Sequence, residues 1–198
     1  MSNLSHAPEQ GLSMDVTEAI YGRRATRNFT TAPVAADILT KLVDAAIQAP
    51  SAFNAQPWHF TIIRNLALLD RISAAAKPYM LSMLNPKSTP NGIREHLSNP
   101  DFHVFYHAPA MILISGKESE WAVEDVGLAA ENLMLAAHSA GLGTCWIGFA
   151  QPWLKTPEGK RAVELDSIYI PIAPIIVGYA RETPPPVPRN PPLLQWID

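Results

Sequence analysis

The chain has 198 residues, 47% hydrophobic and 17% charged, with a formal net charge of -3 at pH 7. That composition can bury one core of ordinary domain size and offers no basic surplus to neutralise a nucleic-acid backbone. The lone Cys145 excludes an internal disulfide, no apolar run reaches the roughly 18 residues of a membrane span, and the polar start resembles neither a signal nor a transit peptide, so a cytoplasmic protein is expected.

In chain order, a mobile leader over residues 1–14 precedes a short helix at 15–22, capped by Asp15, with Val16, Ala19 and Ile20 on one face. Between residues 35 and 49, Ile38, Leu39, Leu42, Val43, Ala46 and Ile47 recur at helical spacing, and Pro50 ends the run. WHFTIIR at 58–64 predicts a strand, and residues 66–76 a further helix. Pro78, Pro86, Pro90 and Pro100 break residues 77–107 into an irregular stretch with a short helix near 93–97.

AMILIS at 110–115 suits a buried strand, and the alanine-rich segment 121–140 a central helix that another helix can approach closely. Gly141 caps it; TCWIGF at 144–149 predicts a third strand and YIPIAPIIVGYA at 169–180 a fourth, with Pro171 and Pro174 toward its beginning. Six of the 19 prolines lie between Pro184 and Pro192, so the tail is expected to run extended over another surface. No repeat or boundary divides residues 15–198, which read as one domain.

Three arginines, Arg23, Arg24 and Arg27, lie in RRATRNF with no carboxylate between Glu18 and Asp37. Guanidinium forks match phosphate oxygens in pairs, so the cluster fits an anion; a solvated turn with surface arginines fits it equally well. In APSAFNAQPWHF, residues 49–60, Ser51, Asn54 and Gln56 offer donors and acceptors suited to a heteroaromatic edge such as a flavin pyrimidine. A plain helix-to-strand connection explains the prolines there but not the amide side chains.

GLGTCWIG at 141–148 stands in the order helix, glycines, strand, the reverse of a dinucleotide-binding turn. Gly148 reads instead as a point of close backbone approach to something flat. His103 and His107 have the i, i+4 spacing of a two-histidine metal face, but a third ligand must come from elsewhere and no HExxH glutamate is present, so a lid is preferred and no metal is expected. Cys145 reads as a small apolar strand residue, and Ser51 and Ser115 lack the setting of a hydrolase nucleophile.

Taken together, RRATRNF at 23–29, APSAFNAQPWHF at 49–60, APAMILIS at 108–115, the alanine-rich helix running into GLGTCWIGF, and PIIVGYA before a tail carrying PRNPP resemble the nitroreductase family. The resemblance extends from about residue 15 to the end, and PSxxNxQPWxF, Pro50 to Phe60, is its most specific element. It implies an α+β fold with a central, mainly antiparallel sheet flanked by helices, built as an intertwined homodimer in which the tail 184–198 wraps the partner. Two FMN molecules would lie at the interface.

Residue by residue, the resemblance implies that Arg23, with Arg24 nearby, and Arg189 hold the FMN phosphate, and that Arg27 faces the pyrimidine edge. Pro50, Ser51, Ala52 and Asn54 would be the loop lent by the other subunit, and a backbone N–H of Ile147 or Gly148 would stand at flavin N5. Ala25 departs from the serine common in RRSxR, leaving a backbone donor or Thr26 for the phosphate. Residues 77–107 would form a variable lid, with Tyr79, Phe102, Phe105 and Tyr106 able to cover the flavin.

The activity implied is ping-pong transfer of electrons from NADH or NADPH, through FMN, to nitro compounds, quinones or similar small acceptors, with no catalytic side chain. Two alternatives stand: an FMN-dependent dehydrogenase that passes electrons from an organic substrate to oxygen, and a non-catalytic flavin-binding or partner-binding module.

Overall fold

The computed structural model describes residues 14–85 and 91–198. The leader expected over 1–14 therefore lies, apart from Met14, outside the described residues, as do Pro86 and Pro90. Seven helices and four strands follow in the order α1 (Val16–Gly22), α2 (Ala36–Ala46), β1 (Trp58–Ile63), α3 (Leu66–Met83), α4 (Asn91–Ser98), β2 (Ala110–Lys117), α5 (Ala122–Ser139), β3 (Gly143–Trp146), α6 (Gln151–Leu154), α7 (Pro157–Ala162) and β4 (Tyr169–Gly178) among the described residues. The four strands form one antiparallel sheet in the order β1-β2-β4-β3, which with its helices is the α+β architecture expected.

The sheet is covered on both faces because β2 is apolar on both. Its successive side chains point to opposite sides: Met111 and Leu113 join one cluster with Leu69 and Ile72 of α3 and Trp153 and Leu154 of α6. Ile112 and Ile114 join the other, with Leu39 and Leu42 of α2 and Val126 and Leu133 of α5. The alanines at 129, 130 and 137, all fully buried, let α5 lie close against the sheet and α2. Asp15 caps α1 in a reciprocal box with Glu18.

Several expected boundaries need correction. Helix α3 does not stop at 76 but runs through Pro78 to Met83. The proline costs a helix interior about 3 kcal/mol; Tyr79, Met80 and Leu81, partly buried against the first cluster, offset it. Helix α2 ends at Ala46, and a tight turn through Gln48 and Ala49 precedes Pro50. Strand β3 ends at Trp146, so Ile147, Gly148 and Phe149 belong to a turn.

Pro171 and Pro174 lie on a strand that is central in the sheet, against the usual rule. The pairing removes the conflict: β3 reaches β4 only from Ile175 to Gly178, so both prolines occupy the stretch of β4 that projects past β3. Helices α6 and α7 are too short to announce themselves by periodicity, although Thr156 caps α7 and Pro157 opens it.

Candidate functional site

Residues 23–29 leave α1 as extended chain tied along the edge of the sheet. Ala25 bridges Thr144 of β3, the Thr26 N–H donates to the Thr144 carbonyl at 2.9 Å, and Phe29 bridges Ala180 just beyond β4. This seating depends on Gly143, where an added Cβ would stand 2.5 Å from the Thr26 hydroxyl.

Three adjoining clefts line this segment. The first, of about 260 Å³, is walled by Arg23, Arg24, Thr26, His138, Thr144, the 141–143 turn and Pro184. A groove of about 330 Å³ shares Thr26, Thr183 and Pro184 with it and continues past Ala25 to Arg27 and Asn28. A third cleft, of about 210 Å³, shares Arg27 and is closed by Val104, Tyr106, Cys145, Trp146, Ile147, Gly148 and Phe149. Four residues of extended chain span about 13 Å, so the row suits a long molecule with an anionic end at Arg23 and a flat end at Arg27.

The first cleft carries unmet polar demand. Arg24 Nη1 donates to the carbonyls of Tyr21 and Arg23 at 2.7 and 2.8 Å, yet among the described residues its buried Nε has no partner, nor has the Thr144 hydroxyl. Buried polar atoms left unpaired cost roughly 1–3 kcal/mol each, and such exceptions call for a reason. An anion accepting from both would supply one. Arg23 Nε stands 3.5 Å from Glu131 Oε1 of α5. His138, in the last turn of α5, is held below the ordinary imidazole range by burial and then by the charges of Arg23 and Arg24.

In the third cleft, burial pushes the Tyr106 phenol up against the pull of the nearby Arg27 guanidinium. Burial likewise raises the Cys145 thiol, against Arg27 and Arg23. A raised thiol is a poor thiolate, so Cys145 is no candidate nucleophile. Gly148 is exposed, and a Cβ built on it meets nothing within 4 Å.

Of the two expected donors, the Ile147 N–H is already paired, donating to the Pro174 carbonyl at 2.8 Å. The N–H of Gly148 has no such acceptor among the described residues.

The lid expectation is corrected in part. Phe105 is fully buried and Phe102 nearly so, both in the first cluster, with Tyr79 packed partly against it; of the four aromatics only Tyr106 lines the cleft. His103 and His107 do meet a third potential ligand in Asp70, the polar atoms of all three lying within 4.8 Å of one another. Here His103 Nδ1 accepts the N–H of Phe105 at 3.2 Å and, weakly, that of His107 at 3.5 Å, while Nε2 contacts Asp70 Oδ1 at 3.1 Å.

That pattern places the proton of a neutral ring on Nε2, leaving no lone pair for an ion. The contact with Asp70 alone would favour a charged imidazole, but burial, with His107 beside it, lowers the His103 pKa overall. The ring's acceptor role fits only the neutral form.

The Ser51 loop lies elsewhere. Ala52 N–H donates at 2.8 Å to Oδ1 of Asp125, a buried acid in the first turn of α5, and Gln56 N–H donates to Ser51 Oγ at 3.0 Å. Phe53, Asn54 and Gln56 all have positive φ, near +50°, a strained arrangement that clusters at functional sites. Gln56 Nε2 donates to Asn54 Oδ1 at 3.0 Å, and Phe53 is 98% exposed.

At 1.5 Å per residue, Asp125 and His138 stand about 20 Å apart along α5. Within one chain, then, Pro50, Ser51, Ala52, Asn54 and Gln56 are at one end of the helix, and Arg23, Arg24, Ala25, Thr26 and Arg27 are toward the other. Arg189 lies on the exposed tail and makes no hydrogen bond or ion pair among the described residues. Asp125, Glu131, His138 and Thr144 escape a reading of the sequence, since nothing in their spacing sets them apart from helix-face and strand residues.

Comparison with known proteins identifies the family and the fold. The model of the nitroreductase family matches residues 20–179. A protein of Methanothermobacter thermautotrophicus bearing the provisional name NADH dehydrogenase/NAD(P)H nitroreductase is 32% identical over 177 residues, which cover 86% of this chain and 80% of the relative. The crystal structure of a nitroreductase with bound FMN from Bacteroides fragilis superposes with a TM-score of 0.79 at 25% identity, covering 93% of this chain and all of that one. A nitroreductase with bound FMN from Desulfitobacterium hafniense shares the fold at 24% identity, with the same coverage and TM-score.

Proposed function

The chain belongs to the nitroreductase family, and from that premise we propose that it is an FMN-dependent oxidoreductase taking electrons from NADH or NADPH and passing them to a small acceptor such as a nitro compound or quinone. The relatives' names and the FMN in the Bacteroides fragilis structure support the cofactor and the donor. One observation in this chain carries the reading: Arg24 Nε and the Thr144 hydroxyl, buried and unpartnered among the described residues, lie on a cleft walled by arginines, which the groove past Ala25 links to the third cleft, lined by Gly148. The residues present fit the group.

When bound, FMN supplies the redox chemistry, which no side chain here could perform. The chain's own part is binding and orientation. Arg23 and Arg24 hold the phosphate, and Arg189 would reach it from a tail; Arg27, which lines the third cleft beside Tyr106, puts a cation at the pyrimidine edge. The free N–H of Gly148 offers a fixed donor, and the bare Cα leaves room for a planar ring to lie close. The Ser51 loop, held by Asp125, presents Asn54 and Gln56 to a second copy of the chain.

With one exposed binding face, donor and acceptor would use it in turn, a ping-pong pattern. Residues 15–198 act as one domain in this reading, and the tail 184–198 lies over the partner.

The test is the visible spectrum of the purified full chain before and after each nicotinamide is added without air. A bound flavin that is FMN and bleaches on addition of NADH or NADPH is the expected result. Colourless protein that fails to take up FMN would end the proposal; a flavin bleached by neither nicotinamide, but by an organic substrate, would move the reading to an oxygen-linked dehydrogenase.

A further inference from the structure

Of the residues lining the first cleft, His138 has so far been given no part in recognition, and Thr144 has entered only as an unpartnered hydroxyl. His138 enters the cleft because the last residue of α1 is Gly22: a Cβ there would lie 2.6 Å from His138 Nε2. Thr144, which also lines the cleft, is 1% exposed, and its hydroxyl has no partner among the described residues. The charged groups facing His138 are Arg23 and Arg24, from the segment after α1, and Glu131, two turns back on α5, which is paired with Arg23. Among the described residues, no carboxylate lines the cleft itself.

Resting on the reading of this cleft as a phosphate site, we propose that Thr144 and His138 are further ligands of a phosphate-class dianion there, and that His138 joins as an imidazolium by taking up a proton as the anion enters.

The sign of the local potential drives the exchange. Without the anion, burial and two guanidinium groups disfavour charge on the ring. A dianion balances the two arginines, and the ring can then gain both an opposite charge and an N–H donor to phosphate oxygen. The Thr144 hydroxyl donates to the same anion and ceases to be an orphan. Affinity should therefore rise as pH falls from about 8, until the phosphate takes its own second proton near pH 6.

The same chemistry could be presented by the FMN phosphate or by free inorganic phosphate. Full-length chain freed of flavin would be titrated calorimetrically at pH 7.5 with FMN, riboflavin and inorganic phosphate, each in two buffers of different protonation enthalpy. FMN should bind with uptake of a substantial fraction of a proton, riboflavin with none, and the uptake should vanish in His138→Gln. Thr144→Val should weaken FMN roughly tenfold while leaving the proton count unchanged.

Equal uptake with FMN and riboflavin, or equal uptake in the native chain and His138→Gln, would overturn the inference and leave FMN binding intact. Failure of the native chain to bind FMN would instead overturn the reading beneath it. The phosphate arm would then decide alone: proton-linked phosphate binding lost in His138→Gln upholds the anion site, and its absence overturns it.

Discussion

Replacing Asp125 by alanine removes the anchor that joins the Ser51 loop to α5. The carboxylate accepts the Ala52 N–H at 2.8 Å from a position 4% exposed. A hydrogen bond to a charged group is worth about 1.5–3 kcal/mol, and an acid in the first helical turn adds about 0.3–1 kcal/mol through the helix dipole. The expected cost is thus about 2–4 kcal/mol. For a chain of this size each kcal/mol lowers Tm by roughly 2–4 °C, giving a fall of about 4–16 °C at fixed protein concentration.

The damage should also reach the cofactor. Three residues with positive φ, Phe53, Asn54 and Gln56, are held in a conformation that the freed loop can relax, so FMN affinity should drop at least tenfold in fluorescence titration. Asp125→Asn retains an acceptor oxygen and should lose less on both counts. A Tm within about 1 °C of native, with unchanged FMN affinity in Asp125→Ala, would refute the role assigned to this residue.

Gly143→Ala should weaken FMN binding without unfolding the chain, because its Cβ would push Thr26 off β3 and shift the arginine segment; native affinity in that variant would show that the seating of Thr26 is unimportant. His103, whose folded pKa lies below its ordinary value of 6.5, stabilises the fold only while neutral. That contribution is complete above pH 6.5 and is lost as pH falls through the lower folded value, so the native chain should lose more Tm between pH 7.5 and 5 than His103→Gln does. Equal losses would mean that the Nδ1 contacts carry no stability. Cys145→Ala should leave flavin reduction by NAD(P)H, followed by stopped flow, within about tenfold of native, below the roughly 10²-fold loss of a true acid or base; a collapse of the rate would make the thiol catalytic.

What the sequence disclosed and what it hid divide along physical lines. β2 is legible because an uninterrupted apolar run suits a strand buried on both faces, and α5 because its small residues recur on one side. RRATRNF and PSAFNAQPW stand out since they gather side chains that no packing argument requires.

Asp125 was invisible for the opposite reason. An acid in a first helical turn is an ordinary solvated residue, and only the fold brings it to Ala52, 73 positions away. Phe102 and Phe105 look like a lid in a proline-broken stretch, yet the turn at 103–107, with left-handed Tyr106 and His107, rotates them inward and leaves Tyr106 at the cleft. Pro78 misleads because local propensity weighs less than the burial of Tyr79 and Met80.

The separation of the two motifs along α5 bears on how a complete site would be built. A loop at Asp125 and arginines near Glu131 and His138 are presented by one chain about 9 to 20 Å apart along the helix, and Val16, Ile20, Phe53 and Leu128, with Leu193 and Trp196 on the tail, are exposed apolar side chains among the described residues. A twofold axis across α5 would set each loop beside the partner's arginines and cover these side chains. Mixed dimers test the arrangement.

If each FMN site takes Arg23 from one chain and Asn54 from the other, a hybrid of Arg23→Ala and Asn54→Ala chains, purified by two different affinity tags, holds one native site and one doubly damaged site. It should bind half the FMN with native affinity. Sites built within single chains would leave the hybrid with two singly damaged sites and none of native affinity, and that result would overturn the shared-site arrangement while leaving FMN binding itself untouched.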